Sequence, residues 1–167
     1  MQEMSLEEFG DKTSEILKQV QEDKSVSKID QTSTTTILHF CGGHTLYLLD
    51  KIRKCNLVAT IQNLVLSDQI IYTGSSAGCM IVAPDLSVKK DLNDEPETWA
   101  KYLSDFTDYS GLDLVDFLIV PHFNNPAYSP YNQEYVANSS FNTPLLFLSD
   151  NQAVWVEDGK FEIVTRK

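Results

Sequence analysis

One short motif has the residue types and the spacing of a catalytic nucleophile. Gly74-x-Ser76-x-Gly78 has the form of a nucleophile elbow, in which a serine stands on a sharp turn between a strand and a helix. The small residues permit that turn, and the N–H of Ala77 at the start of the helix can stabilise an oxyanion. The pattern therefore predicts Ser76 as a nucleophile, and the alternatives are an anion-binding loop or a simple tight turn.

A serine needs a base to become a useful nucleophile, and histidine is the usual base. The chain contains three histidines. His122 follows an apolar run and reaches the sheet edge where Ser76 is expected, so we predict His122 as the base. His44 follows two glycines at another strand end, where it is the alternative base or lines the site. His39 lies inside a predicted core strand and is interpreted as a hydrogen-bonded structural residue.

A carboxylate that orients the imidazole would complete a catalytic triad. Four acidic residues follow the elbow closely, and spacing alone does not select among them: Asp85, Asp91, Asp94 and Glu95. Asn124 and Asn125 lie in a loop rich in tyrosine and asparagine, and we predict that they bind substrate together with His44.

Other kinds of chemistry have weaker support in the sequence. Cys79 is a second candidate nucleophile, but it falls inside the predicted helix, where core packing explains it better. The three cysteines lack metal-ligand spacing, which predicts neither a metal site nor a disulfide framework. No phosphate-binding loop and no dinucleotide-binding fingerprint is present, so we expect no cofactor.

The elements that must position these residues alternate between strands and helices. Buried strands are predicted at 35–40, 69–73 and 115–120, and each ends at one of the loops named above. Helices are predicted from Ser5 to near Lys24, from Thr45, over 57–66, from Cys79 to Val82, and around Pro96. This alternation predicts a mostly parallel sheet with helices on both faces, and ligands bind beyond the carboxyl ends of such strands.

The last part of the chain has a different pattern. Short strands are predicted at 144–148, 153–157 and 161–164, and Asp158-Gly159 is a strong signal for a hairpin turn. We interpret these strands as an antiparallel meander that closes the sheet.

Composition limits the function classes. The 167 residues carry 24 acidic and 13 basic side chains, which gives a net charge of −11. Nucleic acids and anionic membrane surfaces would repel such a chain, so neither is an expected partner. The acidic N-terminus and the absence of a long apolar segment predict a cytoplasmic protein.

Three blocks of sequence resemble the signature blocks of the peptidase E family. They are CGGHTLYLLDKIR at 41–53, IYTGSSAG at 71–78 and VPHFN at 120–124. The resemblance implies a serine peptidase with a class I glutamine amidotransferase-like fold, a three-layer α/β sandwich. It also implies a short-peptide substrate, such as a dipeptide with an N-terminal aspartate, and no metal.

The resemblance implies roles for individual residues as well. Ser76 would be the nucleophile and His122 the general base. An aspartate 15 residues after the serine would be the third member, which selects Asp91, with Asp85 and Asp94 behind it. Gly43 would supply the second oxyanion N–H beside that of Ala77.

The chain departs from the family pattern at two residues. His44 stands where the family usually has Asn or Asp, and Ser87 stands where peptidase E proper carries an arginine that recognises the substrate aspartate. Residues 1–167 would form a single domain without the family's first strand–helix–strand segment. Self-association into a homodimer is one way to cover the sheet edge this would expose. An inactive scaffold that acts as a binding protein is the alternative function.

Overall fold

The computed structural model describes residues 36–91, 106–130, 133, 135 and 143–166. In chain order the strands and α-helices are β1 (Thr36–Phe40), α1 (Thr45–Lys54), α2 (Val58–Leu66), β2 (Ile70–Gly74), α3 (Ala77–Met80), β3 (Leu118–Val120), β4 (Leu145–Phe147), β5 (Gln152–Glu157) and β6 (Lys160–Thr165). Two short 3₁₀ helices cover Ser87–Asp91 and Pro126–Tyr128. The predicted helices near the N-terminus and around Pro96 lie outside the described residues.

β1 and β2 form a parallel pair, as the alternation of strands and helices predicts. Thr36 lies opposite Ile70 and Phe40 lies opposite Gly74. The connection between the two strands contains α1 and α2, which is the usual crossover for parallel strands. The pair therefore delivers the ends of both strands, and the loops that follow them, to one edge.

β3 and β4 also pair in parallel, and this corrects the prediction for the first strand of the supposed meander. Leu118 lies opposite Leu145 and Val120 opposite Phe147. Parallel pairing needs a long connection, and residues 121–144 provide one. Three apolar residues carry no signal of strand direction, so the sequence pattern alone could not distinguish the two arrangements. The consequence is that the loop after β4 reaches the same edge as the loop after β3.

β5 and β6 form the predicted antiparallel hairpin. Glu157 lies opposite Lys160, which leaves Asp158 and Gly159 as a two-residue turn. Both turn residues have positive φ, 51° and 68°. A turn with positive φ at both residues matches the twist of the flanking strands. Asp-Gly is favoured in such a turn because both residues tolerate positive φ.

The main core lies where α1 and α2 pack with α3 and β3. α1 buries a stripe of apolar side chains: Leu46, Leu49 and Ile52. The remaining fully buried large side chains come from α2, β3 and the segments before and after them: Ile61, Ile81, Leu86, Leu112, Leu118 and Val120. A smaller cluster joins Phe117, Ile119 and Leu148 to Val82.

β1 is less buried than its composition predicts. Phe40 is 7% exposed, but Ile37 is 61% exposed. Side chains alternate between the two faces of a strand, so Leu38 and Phe40 face the core while Ile37 and His39 lie on the opposite face. His39 has the predicted hydrogen bond, 2.8 Å from its Nδ1 to Thr73 Oγ1, but on an exposed face and not in the core. Within the described residues, no helix has the length and apolar character to cross a membrane.

Candidate active site

The turn between β2 and α3 holds Ser76 in an unusual backbone conformation. Its φ and ψ are 52° and −115°. An L-residue rarely adopts a positive φ with an extended ψ, because Cβ then crowds the backbone. We refer to residues 74–79 as the elbow. Its geometry projects the serine side chain out of the turn, as the nucleophile motif predicts.

Both glycines of the motif are required by close backbone contacts. A Cβ on Gly78 would lie 2.2 Å from the carbonyl oxygen of Phe40, at the end of β1. A Cβ on Gly74 would lie 2.4 Å from the carbonyl oxygen of Gly78. No side chain fits at either position without moving the main chain. The elbow is therefore set by the packing of backbone against backbone.

His122 lies in the loop that follows β3, and we refer to residues 122–128 as the imidazole loop. The φ of His122 is 63°, again in the left-handed region. Two main-chain hydrogen bonds hold this turn: Phe123 N–H donates to Leu148 O, and Asn125 N–H donates to His122 O, each at 3.0 Å. The ring of Tyr128 stacks on the imidazole with 4.3 Å between centroids. The loop thus fixes both the backbone and one ring face of His122.

The imidazole bridges a hydroxyl and a carboxylate. Its Nε2 lies 3.1 Å from Ser76 Oγ, and its Nδ1 lies 2.6 Å from Asp150 Oδ1. An ionised carboxylate can only accept a hydrogen bond, so Nδ1 carries the proton in this pair. In the neutral ring, Nε2 is then the acceptor that faces the serine hydroxyl. The tautomer is the one a general base requires.

Asp150 lies in the turn that joins β4 to β5. Gln152 closes this turn: its Oε1 accepts from Ser149 N–H at 3.0 Å, and its own N–H donates to Ser149 O at 2.9 Å. The side chain of Asp150 is half-exposed. Hydrogen bonds from His122 and then from Asn125 lower the pKa of Asp150 below its ordinary value, so the carboxylate is ionised at neutral pH.

Backbone N–H groups lie beside the serine on two sides. Ala77 is the first residue of α3, and the N–H groups of a helix's first turn have no acceptor within the helix. Gly42 lies against Ser76, because a Cβ on Gly42 would be 3.2 Å from Ser76 Cβ and 3.6 Å from Oγ. Gly43 follows with a φ of 131°, which an L side chain rarely adopts. The glycine loop after β1 and the start of α3 therefore flank Ser76.

Cys79 lies within the elbow but is occupied by a structural contact. Its Sγ donates to the carbonyl oxygen of Ser76 at 2.9 Å. Burial raises the pKa of Cys79 to about 12, so the thiol stays protonated at neutral pH. Both observations favour core packing over a nucleophilic role. Within the described ranges, no group of three or more His, Cys, Asp or Glu residues is arranged to hold a metal ion.

Comparison with known proteins identifies the family. A model of peptidase family S51 matches residues 3–164. The chain belongs to peptidase family S51. The resemblance of the three sequence blocks is thereby confirmed at the level of the family.

Two curated relatives carry the same kind of name. The chain is 30% identical over 129 residues to the uncharacterized peptidase PM1590 of Pasteurella multocida, an alignment that covers 77% of this chain and 59% of that protein. It is 26% identical over 151 residues to the uncharacterized peptidase Lin0382 of Listeria innocua, covering 88% and 68%. The chain thus spans about three fifths of the length of PM1590 and two thirds of that of Lin0382.

A solved structure shares the fold. The crystal structure of a "Putative Peptidase E Protein" from Listeria monocytogenes superposes with a TM-score of 0.66 at 20% identity, and the match covers 83% of this chain and 69% of that chain. The α/β class predicted from the sequence, with parallel strand pairs, is the class observed here.

Within this S51 chain, Ser76 and His122 lie in contact. The carboxylates predicted as third members either bond to another residue or have no described side chain. The side chain of Asp91, at the end of a 3₁₀ helix, lies outside the described residues, as do Asp94 and Glu95. Asp85 accepts hydrogen bonds from the N–H and the hydroxyl of Ser87. The carboxylate that contacts the imidazole is Asp150, which no sequence motif singles out. A third-member role for Asp91 stays a prediction.

The residues predicted to bind substrate have contacts within the protein. Nδ1 of His44 caps α1 by accepting from Tyr47 N–H at 3.2 Å. Oδ1 of Asn124 accepts from Asp150 N–H at 3.4 Å. Asn125 contacts both Asp150 and the start of the second 3₁₀ helix. Substrate contacts by these three residues stay predictions.

Proposed function

We propose that the chain is a serine peptidase that hydrolyses short peptides through Ser76, His122 and Asp150. One observation carries this proposal: a continuous line of contacts runs from the Asp150 carboxylate through both imidazole nitrogens to the hydroxyl of a strained serine. Membership of family S51 and the peptidase names of the relatives support the same reaction class.

The reaction follows from the contacts. Ser76 Oγ attacks the peptide carbonyl carbon while His122 Nε2 takes the hydroxyl proton. The negative charge that develops on the carbonyl oxygen is stabilised by the N–H groups of Gly43 and Ala77. The imidazolium then gives its proton to the leaving amine as the C–N bond breaks. Water then attacks the carbonyl carbon of the acyl-enzyme while His122 Nε2 takes its proton, and that proton passes to Ser76 Oγ as the ester C–O bond breaks.

Asp150 takes the place in this mechanism that the family resemblance implied for Asp91. It accepts the Nδ1 proton, so it holds the imidazole in the reactive tautomer. It also stabilises the positive charge that His122 acquires during proton transfer. Its lowered pKa supports this role, since only the ionised carboxylate does both.

The finer fold and substrate assignments belong to the proposal as well. We expect the complete sheet to have the three-layer, class I glutamine amidotransferase-like arrangement of the peptidase E family. Short peptides are the proposed substrates, and dipeptides with an N-terminal aspartate are the first to test. Ser87, at the position of the family's substrate-binding arginine, is hydrogen-bonded to Asp85. It offers no positive charge to a substrate carboxylate, so the panel should also include neutral dipeptides.

A fluorophosphonate probe tests the nucleophile directly. The purified chain is incubated with the probe, and the labelled residue is located by peptide mass mapping. We expect label on Ser76 and none in the variant Ser76→Ala. The matched control is Ser75→Ala, which removes the hydroxyl of the exposed neighbouring serine and should keep the label. A folded wild-type chain that takes no label would refute the peptidase proposal and favour the binding-protein alternative.

A further inference from the structure

Asn125 connects the imidazole loop to the carboxylate that contacts His122. Its Nδ2 donates to Asp150 Oδ2 at 3.0 Å, while the other carboxylate oxygen, Oδ1, faces His122 Nδ1 at 2.6 Å. Each oxygen of Asp150 thus has its own donor from the same loop. The carboxylate is held at two points, which fixes its rotation about the bond to Cβ.

The orientation of the Asn125 amide follows from a backbone contact. Its Oδ1 accepts from Ala127 N–H at 3.0 Å and so caps the 3₁₀ helix Pro126–Tyr128. A backbone N–H can only donate, so the atom facing it must be the amide oxygen. The amide nitrogen therefore points to Asp150. The Asn125 side chain therefore both caps the 3₁₀ helix and donates to the Asp150 carboxylate.

Asp150 needs this second contact because its surroundings provide little other restraint. About 48% of the side chain is exposed, and it lies in a turn between two strands. Water competes for an exposed carboxylate, and an unrestrained side chain would share its time among several rotamers. A donor on Oδ2 favours the rotamer in which Oδ1 meets the imidazole.

The same loop aligns the other parts of the imidazole environment. Tyr128 N–H donates to Asn125 O at 3.0 Å, and the Tyr128 ring stacks on His122. Asn125 N–H donates to His122 O. Asn125 is therefore hydrogen-bonded to His122, to Tyr128 and to the Asp150 carboxylate.

We propose that Asn125 is a positioning residue that acts on catalysis through Asp150, rather than a residue that contacts substrate. This inference rests on the proposed function, because it assumes that the Asp150–His122–Ser76 contacts perform the reaction. The two roles predict different kinetics. A substrate contact would change the affinity for a ligand, whereas a positioning residue changes the rate of reaction once the ligand is bound.

Asn125→Asp separates the two contacts of the side chain. Aspartate caps a helix as well as asparagine does, so the contact with Ala127 N–H is kept. The donor to Asp150 is lost and a like charge takes its place. Asn125→Ser also keeps a capping oxygen and loses the donor without adding charge. Asn63→Asp on α2, where the residue is exposed, is the matched control for the change in net charge.

The measurement is the rate of fluorophosphonate labelling of the full chain as a function of probe concentration. For Asn125→Asp we expect the maximal rate to fall about tenfold, the scale of one lost hydrogen bond to a charged group. The concentration that gives half the maximal rate should stay within about twofold of wild type. Asn125→Ser should fall in the same direction, and Asn63→Asp should match wild type. Thermal unfolding midpoints establish that all variants fold.

A second comparison tests whether the effect passes through Asp150. Added to Asp150→Asn, the change Asn125→Asp should reduce the rate by less than about twofold, because the contact it removes no longer supports a carboxylate. A further tenfold loss in that background would overturn the inference. So would a wild-type maximal rate in Asn125→Asp, or a raised half-maximal concentration with an unchanged maximal rate. Any of these three results, with wild type labelled on Ser76, leaves the proposed function standing, whereas an unlabelled wild type overturns the proposed function and this inference together.

Discussion

The elbow and the imidazole loop hold Ser76 and His122, the two reacting groups of the proposed mechanism, by different means. The elbow is local: six consecutive residues, 74–79, carry the serine, and its shape is enforced where Gly74 and Gly78 meet other backbone atoms at distances no Cβ allows. The imidazole loop depends on side chains from separate segments, with Asp150 lying 28 residues after His122. One reacting group is fixed by steric exclusion and the other by hydrogen bonds between polar side chains.

This contrast has a physical consequence for how each region tolerates change. The clashes that a Cβ would make at Gly74 or Gly78 do not depend on pH or salt, so they restrict the shape of the elbow in every solution condition. Hydrogen bonds at a half-exposed carboxylate compete with water and depend on ionisation. We therefore expect substitutions of the elbow glycines Gly74 and Gly78 to act on folding, and substitutions around the imidazole to act on the reaction while the fold persists.

The largest effect on the reaction is expected from Asp150→Asn. The amide no longer holds the reactive tautomer or stabilises the imidazolium, so the labelling rate of Ser76 should fall on the order of a thousandfold or more. Asp91→Asn is the matched variant at the position implied by the family resemblance, and it should label at close to the wild-type rate. The opposite pattern, with loss in Asp91→Asn and activity in Asp150→Asn, would restore the prediction from the resemblance.

Gly78→Ala should produce the largest effect on folding. The new Cβ would lie 2.2 Å from Phe40 O, so β1 and the elbow must separate, at a cost of about 3 kcal/mol in the free energy of unfolding. Gly159→Ala in the hairpin turn is the comparison, since no atom lies within 4 Å and only the positive φ of 68° opposes the substitution. That variant should cost about 1 kcal/mol. Urea unfolding measures both, and equal losses would contradict the steric account.

The same contrast explains what could be predicted from the sequence. The elbow consists of consecutive residues, so its strand, its turn and the position of Ser76 were predictable from a motif and its context. The parallel pair β1–β2 and the hairpin at Asp158-Gly159 were likewise predictable from local patterns. The position of His122 beside Ser76 followed from the rule that ligands bind beyond the carboxyl ends of parallel strands.

The position of Asp150 was not predictable in the same way, because it depends on the direction of β4. The rule that placed His122 after β3 also selects a carboxylate just after β4, provided that β4 is parallel to β3. Interpreting β4 as part of an antiparallel meander put its end, and Asp150 with it, at the wrong edge. The contact itself depends on side chains 28 residues apart, which no local pattern encodes.

Tyr72→Phe tests a smaller part of the elbow's support. The phenol of Tyr72 donates to Gly78 O at 2.7 Å, and burial, followed by the neighbouring Cys79, raises its pKa above the ordinary value, so it remains a donor. Removing the hydroxyl should cost about 1–2 kcal/mol of unfolding free energy, because a partly buried carbonyl loses its partner. Tyr47→Phe on α1 keeps the ring beside Lys51 and should cost less than about 0.5 kcal/mol. Equal urea midpoints for the two variants would show that the phenol does not support the elbow.

The smallest effect we expect is a pH dependence of stability from Asp150. Hydrogen bonds from His122 and Asn125 lower the pKa of its carboxyl group in the folded state. A group with a depressed folded pKa binds fewer protons folded than unfolded, so its contribution to stability is present above the unfolded pKa, about 3.9, and is lost as the pH falls through the folded pKa. Asp150→Asn should therefore unfold at a lower temperature than wild type at pH 7, and the gap should close as the pH falls through the lowered folded pKa of Asp150. Asp116→Asn, at an exposed position, controls for the loss of one negative charge. A gap that stays constant as the pH falls from 7 to about 2 would show that the ionised carboxylate adds nothing to the stability of the imidazole loop, and would leave the packing of Tyr128 and the main-chain bonds to hold His122 in place.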